Sequence, residues 1–539
     1  METGVDKNIE TNKKIATQVP RNLIMNVIFF ALNMSVGMAL TPFFLTSLGK
    51  DAYHFIYLAI SFTGYVAIVV LSLNTAVSRF LTVDLQKNDY KSASKTFNTA
   101  IIGLSALIVL MIPILIVIGY NISYIFTIPS TVPAKDVSWL ILGIFASFLI
   151  TSWTGNFTVQ LFALNRIDLQ VIVNATLFLT QNGLTVLFFQ LYHPSLVYVG
   201  LAYPIGAICA SIMSITLSRL VCPHLKISPS QFDFTQLKTL FSMSSWAIVN
   251  QIGTLLFIQI DLIVINKLCT SVAGQYTAVL SLVAILRNIA ATISGVLVPV
   301  VYTYYAKKQT ETLVRMVVSA VKIMGIFMAL PIGLLCGFSG QILTIWLDSM
   351  GKPIGFTPAD FAPLLVLMAF HLTINLSVLP LFAINLAYNK IRTPGIVTLV
   401  MGIGNFSLAV ALPLLIMHGF DRSDIAYYGV AGAGAIVLTL KNAIFTPWYT
   451  GRIMGINPTI FLKSMITGVV CTTLIAIVSY AVAKSGIIPI TSFATLIPVG
   501  AAIGLIYMLL VWKFALDPFE RAQFKNVMPP VIWRVMEQI

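Results

Sequence analysis

The chain has 539 residues, of which 58% are hydrophobic and only 9% charged, and its mean hydropathy is +0.93. A water-soluble domain carries about 25% charged residues, so that class is excluded. The net charge of +14 would point to nucleic acid if it were gathered on one surface. Here it is spread over alternate connections between apolar runs, so it reads as an orientation signal and a contact with anionic lipid, and no nucleic-acid partner is expected.

Residues 1–21 are polar and lack the apolar core of a removable signal peptide, which leaves the first spanning helix as the targeting signal. Apolar runs of the roughly 20 residues needed to cross a hydrocarbon core then follow to the end of the chain. They predict an all-α polytopic membrane protein of about 14 transmembrane helices, over 22–47, 53–76, 97–120, 138–163, 170–191, 196–217, 241–268, 275–303, 316–339, 360–387, 394–417, 426–448, 462–483 and 490–512. The short alternating segments of a transmembrane barrel are missing. With the N-terminus inside, about 24 Lys and Arg fall on the cytoplasmic side and about 6 outside, so both termini are expected in the cytoplasm. Arg79, Lys87, Lys91 and Lys95 dominate the second connection, and Lys307, Lys308 and Arg315 the eighth.

An internal repeat organises these helices. Ile125-Phe126-Thr127-Ile128 is echoed by Ile342-Leu343-Thr344-Ile345. Phe162-Ala163-Leu164 with the turn Asn165-Arg166-Ile167 is echoed by Phe382-Ala383-Ile384 with Asn389-Lys390-Ile391. The offset is about 220 residues, or six helices, and an even number preserves orientation, so the repeats are parallel about an axis along the membrane normal. The predicted organisation is a cytoplasmic segment 1–21, an N-lobe 22–217, a linker 218–240, a C-lobe 241–448, two appended helices over 449–512 and a cytoplasmic tail 513–539. Two six-helix lobes are thus related by a parallel pseudo-two-fold.

Three stretches carry a family resemblance: Pro42 to Tyr53 (PFFLTSLGKDAY), Leu73 to Lys95 (LNTAVSRFLTVDLQKNDYKSASK) and Ile260 to Tyr276, which holds Asp261. Together they make the chain similar to polysaccharide and oligosaccharide flippases, of the superfamily that also contains multidrug and toxin extrusion proteins and lipid II flippases. The resemblance spans helices 1–12. It implies a V-shaped pair of lobes around a cavity that opens alternately to each side. It also implies a lipid-linked glycan as substrate, in the plasma (inner) membrane, and polysaccharide-assembly enzymes as partners besides the bilayer itself.

The residues that could carry chemistry are few. Five cysteines are scattered without metal-ligand spacing and read as packing residues. The histidines, His54, His193, His224, His371 and His418, are far apart in sequence. No catalytic constellation, metal site or cofactor site is expected, and the small external connections argue against a membrane-embedded glycosyltransferase or ligase. What remains is polar content inside the helices. Asn22, Asn26 and Asn33 line one face of the first helix, and Asn250, Thr254 and Asp261 line one face of the seventh. Such groups serve either interhelical hydrogen bonding, worth about 0.6 kcal/mol each, or the lining of a polar cavity. Within the hairpin Trp246–Ala290, Asp261 lies ~10 Å and Arg287 ~15 Å below the outer helix ends, at 1.5 Å per residue. They could form an ion pair, or Arg287 could meet a phosphate, which a guanidinium matches bidentately. Lys322, ~10 Å into the ninth helix, joins it or snorkels to the interface.

The expected substrate-binding set is therefore Arg287, Asn288, Asp261, Asn250, Gln259, Lys322, Asn33 and Asn26. Pro204, Pro299, Pro331, Pro380 and Pro413 mark potential kinks. The expected function is alternating-access flipping of a lipid-linked oligosaccharide for surface polysaccharide or glycoconjugate synthesis. A cation-coupled multidrug exporter is the competing transporter, and it would need a membrane-embedded acid. Only Asp261 offers one among the helix interiors.

Overall fold

The computed structural model describes residues 4–87, 89–306 and 308–524, with side chains from Arg21 onward apart from some within helices. All regular structure among the described residues is helical. Hydrocarbon offers a backbone amide no partner, so an apolar chain that crosses it must close its own hydrogen bonds, and a helix does so within one segment. Twelve helices among the described residues are long and apolar enough to cross a membrane, and a bent pair over 248–268 supplies a thirteenth span. The expected second span, 53–76, lies within the helix Lys50–Gln86. The chain is a multi-pass, all-α membrane protein. Its outward faces carry large apolar side chains, such as Val117, Leu474 and Leu505, as contact with lipid requires.

The chain divides into two compact units, 1–274 and 275–539. The first contains α1 (Gly4–Leu48), α2 (Lys50–Gln86), α3 (Tyr90–Tyr120), α4 (Ala134–Ala163), α5 (Ile167–Leu191), α6 (Leu196–Val221), α7 (Phe234–Ile258) and α8 (Ile260–Leu268). α4 and α6 pack backbone to backbone: a Cβ on Gly143 would lie 1.8 Å from the Gly200 carbonyl oxygen. Leu73, Val77, Leu81, Phe97, Leu104 and Phe157 form the core of α2, α3 and α4. α7 packs on α2, and the helix expected to open the second lobe falls in this unit. The linker before it is fastened to α3. The Asn98 amide donates to the carbonyl of Lys226 at 3.0 Å and to Gln231 Oε1 at 3.0 Å, and accepts from the Ser228 N–H at 2.6 Å. Lys95 pairs with Asp233, which also caps α7.

The second unit contains α9 (Ala273–Ala306, whose first two residues belong to the first unit), α10 (Thr310–Gly337), the broken helix α11 (Ala362–Phe370), α12 (Leu372–Ser377) and α13 (Pro380–Ala387), then α14 (Arg392–Gly419), α15 (Tyr427–Leu440), α16 (Thr446–Met454), α17 (Thr459–Ser485), α18 (Phe493–Leu510) and the short α19 (Pro518–Phe524). The tail beyond 524, which the sequence reading places on the cytoplasmic face, lies outside the described residues. α17 seats on α10 along a seam of small residues. Gly325 meets Gly468 backbone to backbone, Gly333 meets Ile475 and Gly337 meets Ser479, the close approach that small residues allow in membranes. Pro204, Pro331 and Pro413 sit within unbroken α6, α10 and α14, while Pro380 heads α13 after a break. The side chain of Pro299 is outside the described set.

The sequence repeat has local structural counterparts. Asn165 (φ +58°) and Asn389 (φ +53°) both take the left-handed conformation. In each turn the next N–H, of Arg166 or Lys390, reaches back 2.8 Å to the carbonyl of Leu161 or Asn385, the pattern that ends a helix by satisfying a loose carbonyl. A second pair, Asp89 to Asp84 at 2.9 Å and Gln309 to Tyr304 at 3.1 Å, recurs at about the same offset.

Replacing Gly468 by Leu forces a side chain against the Gly325 backbone and should destabilise the protein by about 1–3 kcal/mol, read as a lower thermal midpoint. Gly404→Ala, with nothing within 4 Å of the added carbon, is the control. The Lys95 ammonium holds the Asp233 carboxyl below the usual carboxylate range. That contribution to linker docking is complete above pH ~4 and is lost as the pH falls through the folded value. The protection factors of amides in 226–236, taken relative to the intrinsic exchange rate at each pH, should therefore fall at acid pH in the wild type, and much less in Lys95→Gln.

Candidate functional site

The expected site residues are distributed over both units. In the first unit, Asn22 turns inward: its amide donates to the Asn165 carbonyl at 3.0 Å and its Oδ1 accepts the Asp168 N–H at 3.0 Å. Asp168, 1% exposed, also pairs with Arg21 and Arg166, each at 3.0 Å, so this end of the asparagine stripe binds α1 to α5. Asn26 is exposed and its amide donates to the Asn22 carbonyl at 2.9 Å. Asn33 is half-buried. On α7, Asn250 is half-buried and its carbonyl accepts the Thr254 hydroxyl at 2.9 Å.

Gln259 and Asp261 mark a break. α7 and α8 bend by 41° at Gln259, and the Ser61 hydroxyl of α2 donates to the Gln259 carbonyl at 3.0 Å. Asp261, buried at 9% exposure, stands in the first turn of α8, where the helix dipole favours an anion. Tyr65 is close enough to feel its charge. The far half of the bent helix is held by Asn266, whose side chain both donates to and accepts from the backbone of Thr127 at 3.0 Å. Asp261 therefore belongs to the first unit and Arg287 to the second.

The densest polar cluster inside the spanning helices of the second unit surrounds Asn375. Its amide donates to Thr439 Oγ1 at 3.1 Å and to the His371 carbonyl at 2.9 Å, and it lies 2.7 Å from His371 Nδ1. The Asn442 amide donates to Asn375 Oδ1 at 2.9 Å, and the Thr446 hydroxyl donates to Asn442 Oδ1 at 3.2 Å. Two irregularities shape the cluster. The α11–α13 segment breaks at His371 and again before Pro380, and a π-helical turn, Lys441–Phe445, interrupts the helix formed by α15 and α16. A π turn inserts one residue and re-aims its neighbours, which is why such turns gather at functional places.

Arg287 of α9, half-buried, interacts electrostatically with His371. Arg287, His371 and Thr439 lie roughly 13–21 Å along their helices from the ends expected to be outermost, which is mid-bilayer depth. Asn288 is exposed and its carbonyl accepts the Thr292 hydroxyl at 2.8 Å. Lys322 is drawn into a different contact, 2.7 Å from Glu520 of α19.

The cluster therefore presents a guanidinium, an imidazole, amides and hydroxyls. Every described acidic residue of the second unit stands at a helix end, in a connection or in α19. Such a surface can donate to an anion or a polyol but has no carboxylate to strip a cation of its water. Sequence reasoning passed over His371, Asn375, Thr439 and Asn442. The visible signal was His371 and Asn375 at i, i+4 within an apolar run. Among the described residues no three His, Cys, Asp or Glu group where they could hold a metal ion, and the five cysteines are free thiols.

No family model matches the chain. Its fold is similar to that of the lipid II flippase MurJ in an inward closed conformation, with a TM-score of 0.63 and 16% identity over 90% of this chain and 99% of that one. It is also similar to an inward-facing multidrug resistance MATE family transporter of the MOP superfamily, with a TM-score of 0.59 and 13% identity over 79% and 94%. These likenesses define the class: a polytopic helical membrane protein with the fold of the MOP superfamily. In sequence the chain is 31% identical over 503 residues to the uncharacterised membrane protein EpsK of Bacillus subtilis (strain 168), covering 93% of this chain and 96% of the relative. It belongs to the EpsK family.

Asn375→Ala should leave Asn442 and His371 without their shared partner and cost about 1–3 kcal/mol. The check is thermal unfolding in detergent micelles, where Asn375→Ala with Asn442→Ala should recover part of the loss.

Proposed function

We propose that the chain flips a lipid-linked oligosaccharide, a glycan on a polyprenyl phosphate or pyrophosphate, from the inner to the outer leaflet of the plasma membrane by alternating access. Both termini are cytoplasmic in this reading, and the product feeds polysaccharide-assembly enzymes outside. The observation that carries it is the cluster of His371, Asn375 and Asn442 within the spanning helices, in the field of Arg287, which offers donors to an anionic, hydroxyl-rich head and, among the described residues of its unit, includes no carboxylate. A fold shared with a lipid II flippase supports the same direction. An inside-negative potential already favours outward movement of the phosphate by about 2.3 kcal/mol per charge per 100 mV, so the cycle does not require a cation to drive it.

A second reading, cation-coupled export of drugs, rests on Asp261. This buried carboxylate stands at a helix break in the first unit, and the MATE transporters share the fold.

Reconstitution into vesicles separates the two. In the first reading, a fluorescent polyprenyl-phosphate-linked sugar reaches the far leaflet chemically unchanged, and Arg287→Ala slows it about 10- to 100-fold, the value of a lost charge-assisted hydrogen bond, with insertion intact. Retained flipping in the double variant Asp261→Asn with Arg287→Gln would show that Arg287 does not serve the substrate. Drug efflux that Asp261→Asn abolishes, without sugar-lipid movement, would establish the exporter. Covalent elongation of the sugar would sink both.

A further inference from the structure

A feature that the flipping reading does not use lies where α10 and α17 begin and α19 returns to them. A cavity of about 850 Å³ opens there. Three basic residues line it: Arg315 and Lys322 of α10 and Lys463 of α17, with the hydroxyls of Ser319, Ser464 and Thr467 between them. Three acids of the chain line it as well, Glu311, Asp517 and Glu520, and the last of them is paired inside it. Glu520, 2% exposed, reaches Lys322 at 2.7 Å. The same carboxylate accepts the Asp517 N–H at 2.9 Å, while Asp517 accepts the Glu520 N–H at 2.8 Å. The two acids thus cap α19 reciprocally. Arg315 lies 4.0 Å over the Phe519 ring. α19 is consequently held to α10 by one buried ion pair and one cation–π contact, both made with the cations that line the cavity.

A second, apolar groove of about 640 Å³ between α17 and α18 shares Lys322 and Thr467 with the first. Once α19 withdraws Asp517 and Glu520, the chamber keeps Arg315, Lys322 and Lys463 against Glu311 alone, and beside the apolar groove that shares Lys322 it has the polarity of an amphiphile with an anionic head and a hydrocarbon chain.

We propose that this chamber is a regulatory site for an anionic phospholipid of the surrounding bilayer. The lipid phosphate binds Arg315, Lys322 and Lys463 and replaces the Glu520 carboxylate. α19 is thereby released from α10. The physical basis is competition at Lys322. A half-buried ammonium favours a partner, and a phosphate oxygen can take the place of a carboxylate oxygen without leaving that charge bare. The exposed Lys463 and Arg315 add attraction for a headgroup that is absent for a zwitterionic lipid. The proposal is independent of what the protein transports.

Hydrogen exchange of residues 516–524 in the full-length protein, held in nanodiscs, tests it. Changing from pure phosphatidylcholine to a mixture containing phosphatidylglycerol should speed exchange of this segment roughly tenfold by shifting its local opening equilibrium. Glu520→Gln should exchange fast in both lipids, because its latch is already open. Lys463→Gln, an exposed substitution that leaves both contacts of α19 to α10 in place, should blunt the response to phosphatidylglycerol. Unchanged exchange in the mixed lipid overturns the proposal. So does an undiminished phosphatidylglycerol effect in Lys463→Gln, or a slow-exchanging Glu520→Gln. Inorganic phosphate added to phosphatidylcholine discs should do nothing; if it reproduces the effect, the ligand is a free anion and not a lipid.

Discussion

In hydrocarbon a backbone amide or carbonyl that leaves a helix has no water to turn to, and this chain answers that constraint each time with a side chain of a neighbour. The carbonyl exposed by the bend at Gln259 takes the Ser61 hydroxyl. The chain leaving α3 at Thr127 is gripped on both backbone groups by Asn266. The broken helix at His371 is stitched by Asn375, and Asn375 in turn by Asn442 at the π turn. Irregular backbone and buried polar side chains are therefore one feature here. At these three places a loose backbone group and a polar side chain satisfy each other.

The consequence for function is a division of labour among polar residues that look alike in sequence. Asn22, Asn98 and Asn266 clamp backbone and fix packing within the first unit. Asn375 and Asn442 add bonds to other side chains, beside a histidine and within the field of Arg287. Lys322 follows the same logic at a helix end: an ammonium inside a spanning helix takes the carboxylate of α19 in preference to standing alone.

The helices and their order were legible in the sequence because length and apolarity alone specify a span. So was the repeat. The left-handed Asn165 and Asn389 follow from a residue type that tolerates positive φ at the end of a helix. The π turn at Lys441–Phe445 precedes Pro447, which has no N–H to offer the Ala443 carbonyl. The bend at Gln259 was not legible, since it carries no proline: its carbonyl meets a hydroxyl of α2, and partners are not written in local sequence. The same reason explains the candidate residues. Arg287 was found because a guanidinium in an apolar run is rare. His371 was passed over because one imidazole means nothing until its neighbours on two other helices are known.

The sequence by itself determined the class, the spans, the bias of positive charge and the internal repeat, all of which depend on composition and on distances along one chain. The tertiary structure decided which polar residues act together. It gave Lys322 to Glu520, and assembled His371, Asn375, Thr439 and Asn442 from separate helices. The reason is physical. Hydrophobicity acts on each segment separately as it meets the bilayer, whereas a hydrogen bond inside hydrocarbon exists only between groups that packing has brought within about 3 Å.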